Sequence, residues 1–302
     1  MRFSTKTLAL IGSLAVLAAS CASGVVATVD DASIHHDDVV ALSTDFQDRA
    51  DLDGEAYRAD LSNLIYLEAQ KSAAERDFGL TGLDDPNAIA AKVASPTEEE
   101  AAVFESIRSN PERTEATVEA VAEQFIIRDA VGEAIVAPDL ADIYENTPEL
   151  IVAVCGRHIL TETEEAALAA KERVEAGEAF ADVADEVSID TYSAGGELPC
   201  PQNLGSYVPE FAQAAMDATI GEMTDPVQSQ YGWHVIVIEE RTGPASLEEL
   251  AADPLAYLNG DYVAERWGAW VNDAILSADV SVNSRVGSWA PAAFGILPPP
   301  AG

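Results

Sequence analysis

The sequence predicts an α+β protein in which a compact β-α-α-β-α-β segment is inserted into a discontinuous, mainly helical domain. Two observations carry this prediction. Apolar strands alternate with short helices over residues 151–239, and apolar residues at helical spacing dominate on both sides of that segment. The length of 302 residues suits one large domain or two ordinary ones, and 48% hydrophobic residues are typical of a globular chain.

Residues 1–21 predict a secretory signal peptide, which does not belong to the fold. Arg2 and Lys6 precede an apolar run of about 12 residues, whereas a membrane-spanning helix needs about 20. The small residues before Cys21 resemble a bacterial lipobox, which implies that Cys21 becomes a lipid anchor. Ordinary cleavage nearby is the alternative. No later segment is long and apolar enough to span a bilayer.

Residues 22–148 are predicted to be mainly helical after two short strands within 25–34. Asp37 and Pro96 are typical of helix starts, and a shorter helix follows Pro138. Apolar residues at helical spacing mark the longer helices. These stripes are Tyr57, Leu61, Leu64 and Ile65, and then Val118, Val121, Ala122 and Phe125.

Residues 149–242 form the predicted inserted domain. Its elements are a strand at 151–160, helices at 166–175 and 180–187, a turn-rich loop at 193–205, a helix at 211–218 and a closing strand at 226–239. Gly177 and Gly221 are natural helix ends. This order over about 90 residues suits a compact α+β domain.

Residues 243–290 are predicted to complete the helical domain. One face of a helix there carries two Trp side chains, so it needs the helices of the first part as a partner. The members of this face are Val263, Trp267, Trp270, Val271 and Ala274. Residues 279–283 predict a strand that pairs with 25–29. Residues 291–302 are a predicted tail, disordered from Pro298 onward.

The charge balance excludes two classes of function. With 16 Lys and Arg against 53 Asp and Glu, the formal net charge is −37. Nucleic-acid binding needs a basic face, and docking on an anionic membrane needs a polybasic patch. The acidity keeps the chain soluble by self-repulsion, and it would attract a basic or unfolded client without identifying one.

The remaining chemistry-bearing residues leave one alternative open. After the leader, Cys155 and Cys200 either form a disulfide, as an oxidising compartment favours, or remain two buried, inert thiols. No Cys/His cluster has zinc-site spacing, so no metal is expected. His35 and His36 are adjacent and point apart, which indicates a surface feature.

Seven short motifs occur in one order between Arg157 and Glu239. They are RHIL at 157–160, EAGEAFADVA at 175–184, SIDT at 188–191, GGEL at 195–198, VPEF at 208–211, GEM with PV at 221–227, and YGWHVI at 231–236. In this order they resemble a parvulin-type peptidyl-prolyl isomerase domain, an FKBP-like β-α-α-β-α-β fold. The lipobox, the VATV start at 26–29 and the flanking helices resemble extracytoplasmic foldase lipoproteins of the PrsA and SurA type, with a SurA-N-like chaperone domain.

The resemblance implies a catalytic set and a substrate pocket. His158, Asp190, His234 and Ser229 would be catalytic, with the two imidazoles side by side on adjacent strands. Leu198, Tyr207, Phe211 and Met216 would line a pocket for the proline ring. On the residues alone, two His in apolar strands can be satisfied core residues, Asp190 a loop cap, and Phe211 and Met216 plain core.

Two departures from the family pattern affect these expectations. Pro199 and Cys200 follow GGEL, and since proline cannot donate to a ladder, the strand is expected to break there. A Cys155–Cys200 bridge would restrain that loop. Between the two histidines the basic residues are Lys171 and Arg173 alone. A phosphate-reading parvulin needs a basic cluster, so this one is not expected to prefer phosphorylated Ser/Thr-Pro.

The expected function is therefore a peptidyl-prolyl isomerase that assists secreted proteins. Its partners would be unfolded or newly translocated proteins that contain X–Pro bonds, with no metal, nucleotide or organic cofactor. The expected location is the outer face of the bacterial cell membrane, through a lipid anchor only. The alternatives are a holdase chaperone or an envelope scaffold with a catalytically silent parvulin module.

Overall fold

The computed structural model describes residues 24–44 and 54–300. These residues divide into two compact units: those up to Val131 together with those from Ala269 onward, and Gly132–Gly268. The predicted leader 1–21 and its Cys21 lie outside the described residues. In the described part, no helix is both long and apolar enough to cross a membrane.

The helices and strands follow one another with short connections. The first half contains β1 (Val25–Val29), β2 (Ala32–His35), α1 (His36–Ala41), α2 (Glu55–Phe78), α3 (Pro86–Ala94), α4 (Glu98–Arg108), α5 (Glu115–Val136) and α6 (Leu140–Asn146). The second half contains β3 (Ala153–Thr161), α7 (Glu164–Glu175), α8 (Phe180–Val187), β4 (Gln202–Asn203), α9 (Pro209–Asp217), β5 (Val227–Ser229), β6 (Gly232–Thr242), α10 (Leu247–Ala252), α11 (Gly260–Ser277), β7 (Val280–Val282), β8 (Ser288–Ala290) and β9 (Gly295–Leu297).

The first unit has a three-stranded antiparallel sheet in the order β2-β1-β7. β7 pairs with β1 in the register Ala27↔Val282, which confirms the pairing predicted for 279–283 and 25–29. The apolar stripe of α2 packs on this sheet, and Tyr57, Leu61 and Ile65 are buried there. The stripe of α5 forms a second cluster, in which Val118 and Ala122 bury against Phe104 of α4.

The helix α11 is less buried than its apolar face predicts. Ala274 and Ile275 are buried, whereas Trp267 and Trp270 are half-buried. The Trp270 indole Nε1–H donates to the Asp77 carboxylate at 3.0 Å, and its ring lies 6.1 Å from that of Phe78. The polar edge of Trp270 therefore stays at the surface while its ring covers the end of α2.

The predicted tail 291–302 contains regular structure as far as Leu297, just before Pro298, from which disorder is predicted. β8 and β9 pair as an antiparallel hairpin in the register Trp289↔Ile296. Ile296 is buried in the cluster that holds α2, and Trp289 packs against the same cluster. Burial of these two side chains orders a segment whose three-residue strands are too short to give a period-2 pattern.

The second unit is built on a four-stranded antiparallel sheet in the order β4-β3-β6-β5. The predicted closing strand 226–239 is in fact the hairpin of β5 and β6, because the chain turns between Ser229 and Gly232. Gly232 has φ +136°, and a Cβ there would lie 2.3 Å from the Thr161 carbonyl oxygen. Only glycine fits this close approach, so the first position of β6 requires a glycine.

The two faces of this sheet carry different helices. Phe211, Ala212 and Ala215 of α9 pack on the face that presents Ile236 and Ile238 of β6. The helices α7 and α8 pack on the opposite face, around Ile159 of β3. Since side chains alternate along a strand, His234 lies on the α9 face with Ile236. His158 lies there too, because it pairs with Ile236.

The compact second unit is wider than residues 149–242. Val136, Leu140 and Ile143 before the sheet, and Leu250 and Leu258 after it, bury in one cluster with Ile151. Elements on both sides of the predicted segment therefore share a core with its first residues.

Candidate functional site

Two buried imidazoles lie side by side on the central strands. β3 and β6 pair in the registers His158↔Ile236 and Leu160↔His234, so the two histidines are diagonal neighbours on one face. Their rings stack at 5.6 Å with an interplanar angle of 17°, and their Nδ1 atoms are 3.4 Å apart. His158 is 7% exposed and His234 4%. The expected juxtaposition of the two imidazoles is therefore present.

A hydrogen-bond chain extends from both histidines and joins the four residues expected to be catalytic. His158 Nε2 lies 2.8 Å from Asp190 Oδ2, and His234 Nε2 lies 2.8 Å from Ser229 Oγ. A carboxylate only accepts, so His158 Nε2–H donates to it. With neutral rings, His234 Nδ1–H then donates to His158 Nδ1, and Ser229 donates to His234 Nε2. Each tautomer fixes the next.

The loop around Asp190 keeps its carboxylate ionised. Burial alone would raise the pKa of this carboxyl, but hydrogen bonds from Ser193, from the Tyr192 backbone and from His158 hold the pKa below its ordinary value. Ser193 Oγ donates to Oδ2 at 2.8 Å, and Tyr192 N donates to Oδ1 at 3.0 Å. Asp190 is therefore an oriented anion at one end of the chain.

His234 is a neutral imidazole at ordinary pH. Burial lowers its pKa to about 4, and a positive charge on His158 would lower it further. The carboxylates of Asp190 and Glu210 act in the opposite direction without overcoming burial. A ring that stays uncharged can accept a hydrogen bond from Ser229 and hold its partner's tautomer.

An aromatic pair covers the histidines. The ring of Phe211 meets His158 at 5.7 Å and His234 at 5.4 Å, edge-on to both. Tyr207 stacks on Phe211 with ring centroids 4.6 Å apart, and burial raises the pKa of Tyr207 to about 12. Its buried hydroxyl has no hydrogen-bond partner within the described residues. Val208 is the N-cap residue of α9 and Pro209 is its first residue, so Phe211 lies in the first turn of the helix.

The four residues expected to line a proline pocket belong to one apolar cluster. Leu198 is 7% exposed and Phe211 is 2% exposed, so both are core residues whose faces are covered. Tyr207 and Met216 are half-buried and supply the accessible part of the cluster. The ring of Tyr207 lies flat over Phe211, so Tyr207 is accessible and Phe211 is covered.

The GGEL segment lies along the edge of β3. The backbone N–H of Leu198 donates to the Gly156 carbonyl at 3.0 Å, and the backbones of Glu197 and Arg157 form an antiparallel β-bridge. A Cβ at Gly196, which has φ +75°, would lie 2.4 Å from the His158 carbonyl oxygen. Strand pairing stops after Leu198, as Pro199 led us to expect, and the sulfurs of Cys155 and Cys200 are bonded beside the break.

Two serines of the site have roles that the sequence did not indicate. Ser193 binds Asp190, and Ser188 Oγ accepts from the Leu160 backbone at 3.2 Å and the Asp190 backbone at 3.3 Å. Ser188 belongs to the SIDT motif, so its position was visible. Ser193 is in a turn-rich stretch without periodicity, and only the closed loop brings it to the carboxylate.

A short antiparallel sheet with a paired-histidine floor, an oriented carboxylate and an aromatic cover defines a parvulin-type domain. Residues 157–240 match the family described as "Rotamase: PPIC-type PPIASE domain". This segment is a PPIC-type peptidyl-prolyl isomerase domain, and it makes up less than half of the chain.

The sequence similarity to known proteins extends over more residues than this segment contains, by different amounts. "Foldase protein PrsA" of Oceanobacillus iheyensis is 42% identical over 104 residues, which is 34% of this chain and 33% of the relative. "Foldase protein PrsA 3" of Bacillus cereus is 31% identical over 164 residues, which is 52% of this chain and 55% of the relative. A crystal structure of the peptidylprolyl isomerase PrsA from Bacillus anthracis is 20% identical, with a TM-score of 0.41 over 70% of this chain and 96% of that chain. The chain thus spans between about a third and about half the length of these curated relatives.

Proposed function

We propose that this protein is a peptidyl-prolyl cis–trans isomerase that acts outside the cytoplasm as a folding factor for secreted proteins. One observation carries the proposal. The hydrogen-bond chain Asp190–His158–His234–Ser229 lies under Tyr207 and Phe211 inside the segment that matches the PPIC-type family.

The reaction needs no covalent intermediate. Amide resonance sets a barrier of about 18–20 kcal/mol to rotation of an X–Pro bond. The transition state is a twisted amide, in which the C–N bond has lost double-bond character and the carbonyl oxygen has lost negative charge. A site accelerates rotation when it binds this state better than the planar amide.

We assign a role to each part of the site. The accessible parts of Tyr207 and Met216 would grip the proline ring, and Leu198 and Phe211 would support them from the core. His158 and His234 would hold each other's tautomer and fix the floor. Asp190 would orient this pair, and its negative charge would disfavour the planar amide, whose carbonyl oxygen carries more negative charge than that of the twisted form.

The ion pairs of basic residues in the second unit support the proposal that its substrates carry no phosphate. Arg157, Lys171 and Arg173 form ion pairs with Glu239, Asp225 and Glu178 respectively, at 3.3, 2.8 and 2.7 Å. A phosphate group needs cations that are gathered at one place. Unfolded proteins with ordinary X–Pro bonds are therefore the proposed substrates.

An exchange assay on an unphosphorylated X–Pro peptide tests the proposal, by NMR or by protease coupling. We expect acceleration by the full-length protein and a loss of about tenfold or more in His158→Ala and His234→Ala, because misplacement by about 1 Å can cost up to 100-fold. Both variants should also be less stable. His35→Ala, a histidine of the first unit, is the matched control. Full activity in both site variants would discard the site assignment.

A binding chaperone with a silent isomerase module is the second candidate. An open crevice of about 360 Å³ in the first unit favours it, lined in part by Leu64, Leu67, Ile107 and Val121. Unfolded segments could place apolar side chains there. Suppressed aggregation of an unfolded client without any gain in the isomerisation rate would favour this candidate, and co-purification of one stoichiometric partner would favour an envelope scaffold.

We further propose that Cys21 carries the lipid anchor on the outer face of the bacterial cell membrane. We also propose that the isomerase domain is inserted in a discontinuous SurA-N-like helical domain, which the pairing of β1 with β7 supports. Mass spectrometry of the membrane fraction should find a lipid on Cys21 at the new N-terminus. A soluble protein cleaved elsewhere would contradict the anchor.

A further inference from the structure

We propose that Cys155 and Cys200 are positioning residues of the isomerase site, a role that depends on the proposed isomerase activity. Their disulfide holds the segment that carries Leu198 against the backbone of His158, and its reduction weakens catalysis. The site is then fully active only where the bond is oxidised.

The disulfide spans a gap in the hydrogen bonding beside β3. The backbone N–H of Leu198 donates to β3, and strand pairing resumes only at β4, Gln202–Asn203. Pro199 and Pro201 lie in between and have no N–H to donate. The bond between Cys155 and Cys200 joins β3 to the segment that follows Leu198 inside this gap, with Cα atoms 4.7 Å apart. A covalent link therefore stands where two ladder donors are missing.

The segment before the gap touches the catalytic strand directly. The backbone of Glu197 forms a β-bridge with that of Arg157. The Gly196 backbone packs so closely on the His158 carbonyl oxygen that a Cβ would lie 2.4 Å from it. A displacement of this segment therefore reaches the backbone of His158, and it moves Leu198 out of the apolar cluster beside Phe211.

The loop closed by the bond contains half of the site. The two cysteines are 45 residues apart in sequence. His158, Asp190 and Ser193 lie between them, whereas Ser229 and His234 lie outside. The Nδ1 contact of 3.4 Å between the imidazoles joins the two halves. Opening the loop therefore relaxes one half of the hydrogen-bond chain relative to the other.

The bond is open to a reductant, because Cys200 is exposed and Cys155 is half-buried. A dithiol reduces it in two exchanges. Its first thiolate attacks one cysteine sulfur, forms a mixed disulfide and releases the other cysteine as a thiolate. Its second thiolate then closes the reductant's own disulfide and releases the first cysteine. Two electrons pass to the protein, and two protons complete the cysteine thiols.

Reversible reduction of the full-length protein tests the inference, in a Cys21→Ser background so that free thiols report this pair alone. Dithiothreitol is the reductant, alkylation with mass spectrometry counts thiols, and near-UV circular dichroism gives the folded fraction. We expect kcat/KM per folded molecule to fall by about tenfold, since an error of about 1 Å can cost up to 100-fold. The NMR signals of the His158 imidazole should shift, KM should rise, and reoxidation should reverse all three.

The double variant Cys155→Ala/Cys200→Ala is the matched control. It should have the low activity of the reduced protein and should not respond to dithiothreitol. An activity that falls only in proportion to the folded fraction, with KM and the His158 signals unchanged, would overturn the positioning role and leave a purely stabilising bond. An oxidised protein without isomerase activity would instead overturn the proposed function.

Discussion

At the residue scale, His234 links the pH of the medium to the stability of the second unit. Burial lowers its pKa from an ordinary 6.5 to about 4. Between about pH 6.5 and pH 4, the His234 imidazole therefore binds a proton in the unfolded chain but not in the native state. The stability from this difference is complete above about pH 6.5 and is lost as the pH falls toward 4. Asp190, whose pKa is also lowered, acts in the same direction.

We therefore expect the free energy of unfolding to fall by up to about 3 kcal/mol between pH 7 and pH 4 through His234 alone. Urea unfolding at a series of pH values measures it. The variant His234→Gln should lose this part of the pH dependence, and His35→Gln should keep it. An unchanged slope in His234→Gln would mean that this imidazole does not carry the effect.

The individual site residues differ in how far the sequence indicates them. His158 and His234 were predictable, because each lies in a β-rich apolar run within an ordered set of motifs. The stacking of Tyr207 on Phe211 was not predictable, since no spacing in the sequence reports a stacked ring. Ser193 likewise acquires its role only when the loop after α8 closes on Asp190.

At the element scale, the GGEL segment depends on a glycine with no space beside it. Gly196 has φ +75°, and an added Cβ would collide with the His158 carbonyl oxygen and approach Phe180 at 3.0 Å. Gly177, with φ +103°, has nothing within 4 Å of its added Cβ. The two positions share a backbone conformation that side chains disfavour, and only one adds a collision.

Gly196→Ala should therefore destabilise the second unit more than Gly177→Ala does. Backbone strain alone costs about 1–3 kcal/mol, which Gly177→Ala should show without loss of isomerase activity. Gly196→Ala should add a loss of activity, because the segment must move away from His158. Urea unfolding and the peptide assay on both variants decide this. Equal stability and equal activity in the two would refute the close packing.

Elements were predictable where the pattern is long or carries a strong breaker. The buried stripe of α2 and the break at Pro199 follow from periodicity and from the missing N–H of proline. The sequence predicts one strand in place of the β5–β6 hairpin, because Gln230 and Tyr231 are not typical of a two-residue turn. The hairpin of β8 and β9 is ordered by tertiary burial, which a local pattern does not contain.

At the scale of the whole molecule, the second unit is a core that extends past the family match. Ile151 buries with Val136, Leu140 and Ile143 on one side and with Leu250 and Leu258 on the other. Residues 149–242 alone would expose this cluster to water. Each fully buried aliphatic side chain of this kind contributes about 1.5–3 kcal/mol.

A fragment of residues 132–268 should therefore unfold cooperatively and at higher urea concentration than a fragment of residues 149–242. Circular dichroism and fluorescence should give coincident transitions for the longer fragment. Both fragments keep the disulfide and the four-residue hydrogen-bond chain, so the comparison isolates the flanking cluster. Equal midpoints would place the whole stability of the unit within 149–242.

The pairing of β1 with β7 determines the order in which parts of this protein can fold as the chain is made. The ribosome makes Val25–Val29 long before Val280–Val282, so β1 lacks one of its two sheet partners until residue 282 has been made. Joining distant segments costs entropy that grows with the intervening length, and a second unit that folds early shortens that separation. A chain that has emerged only as far as position 279 would therefore contain every residue of the second unit, while its first sheet would still lack β7.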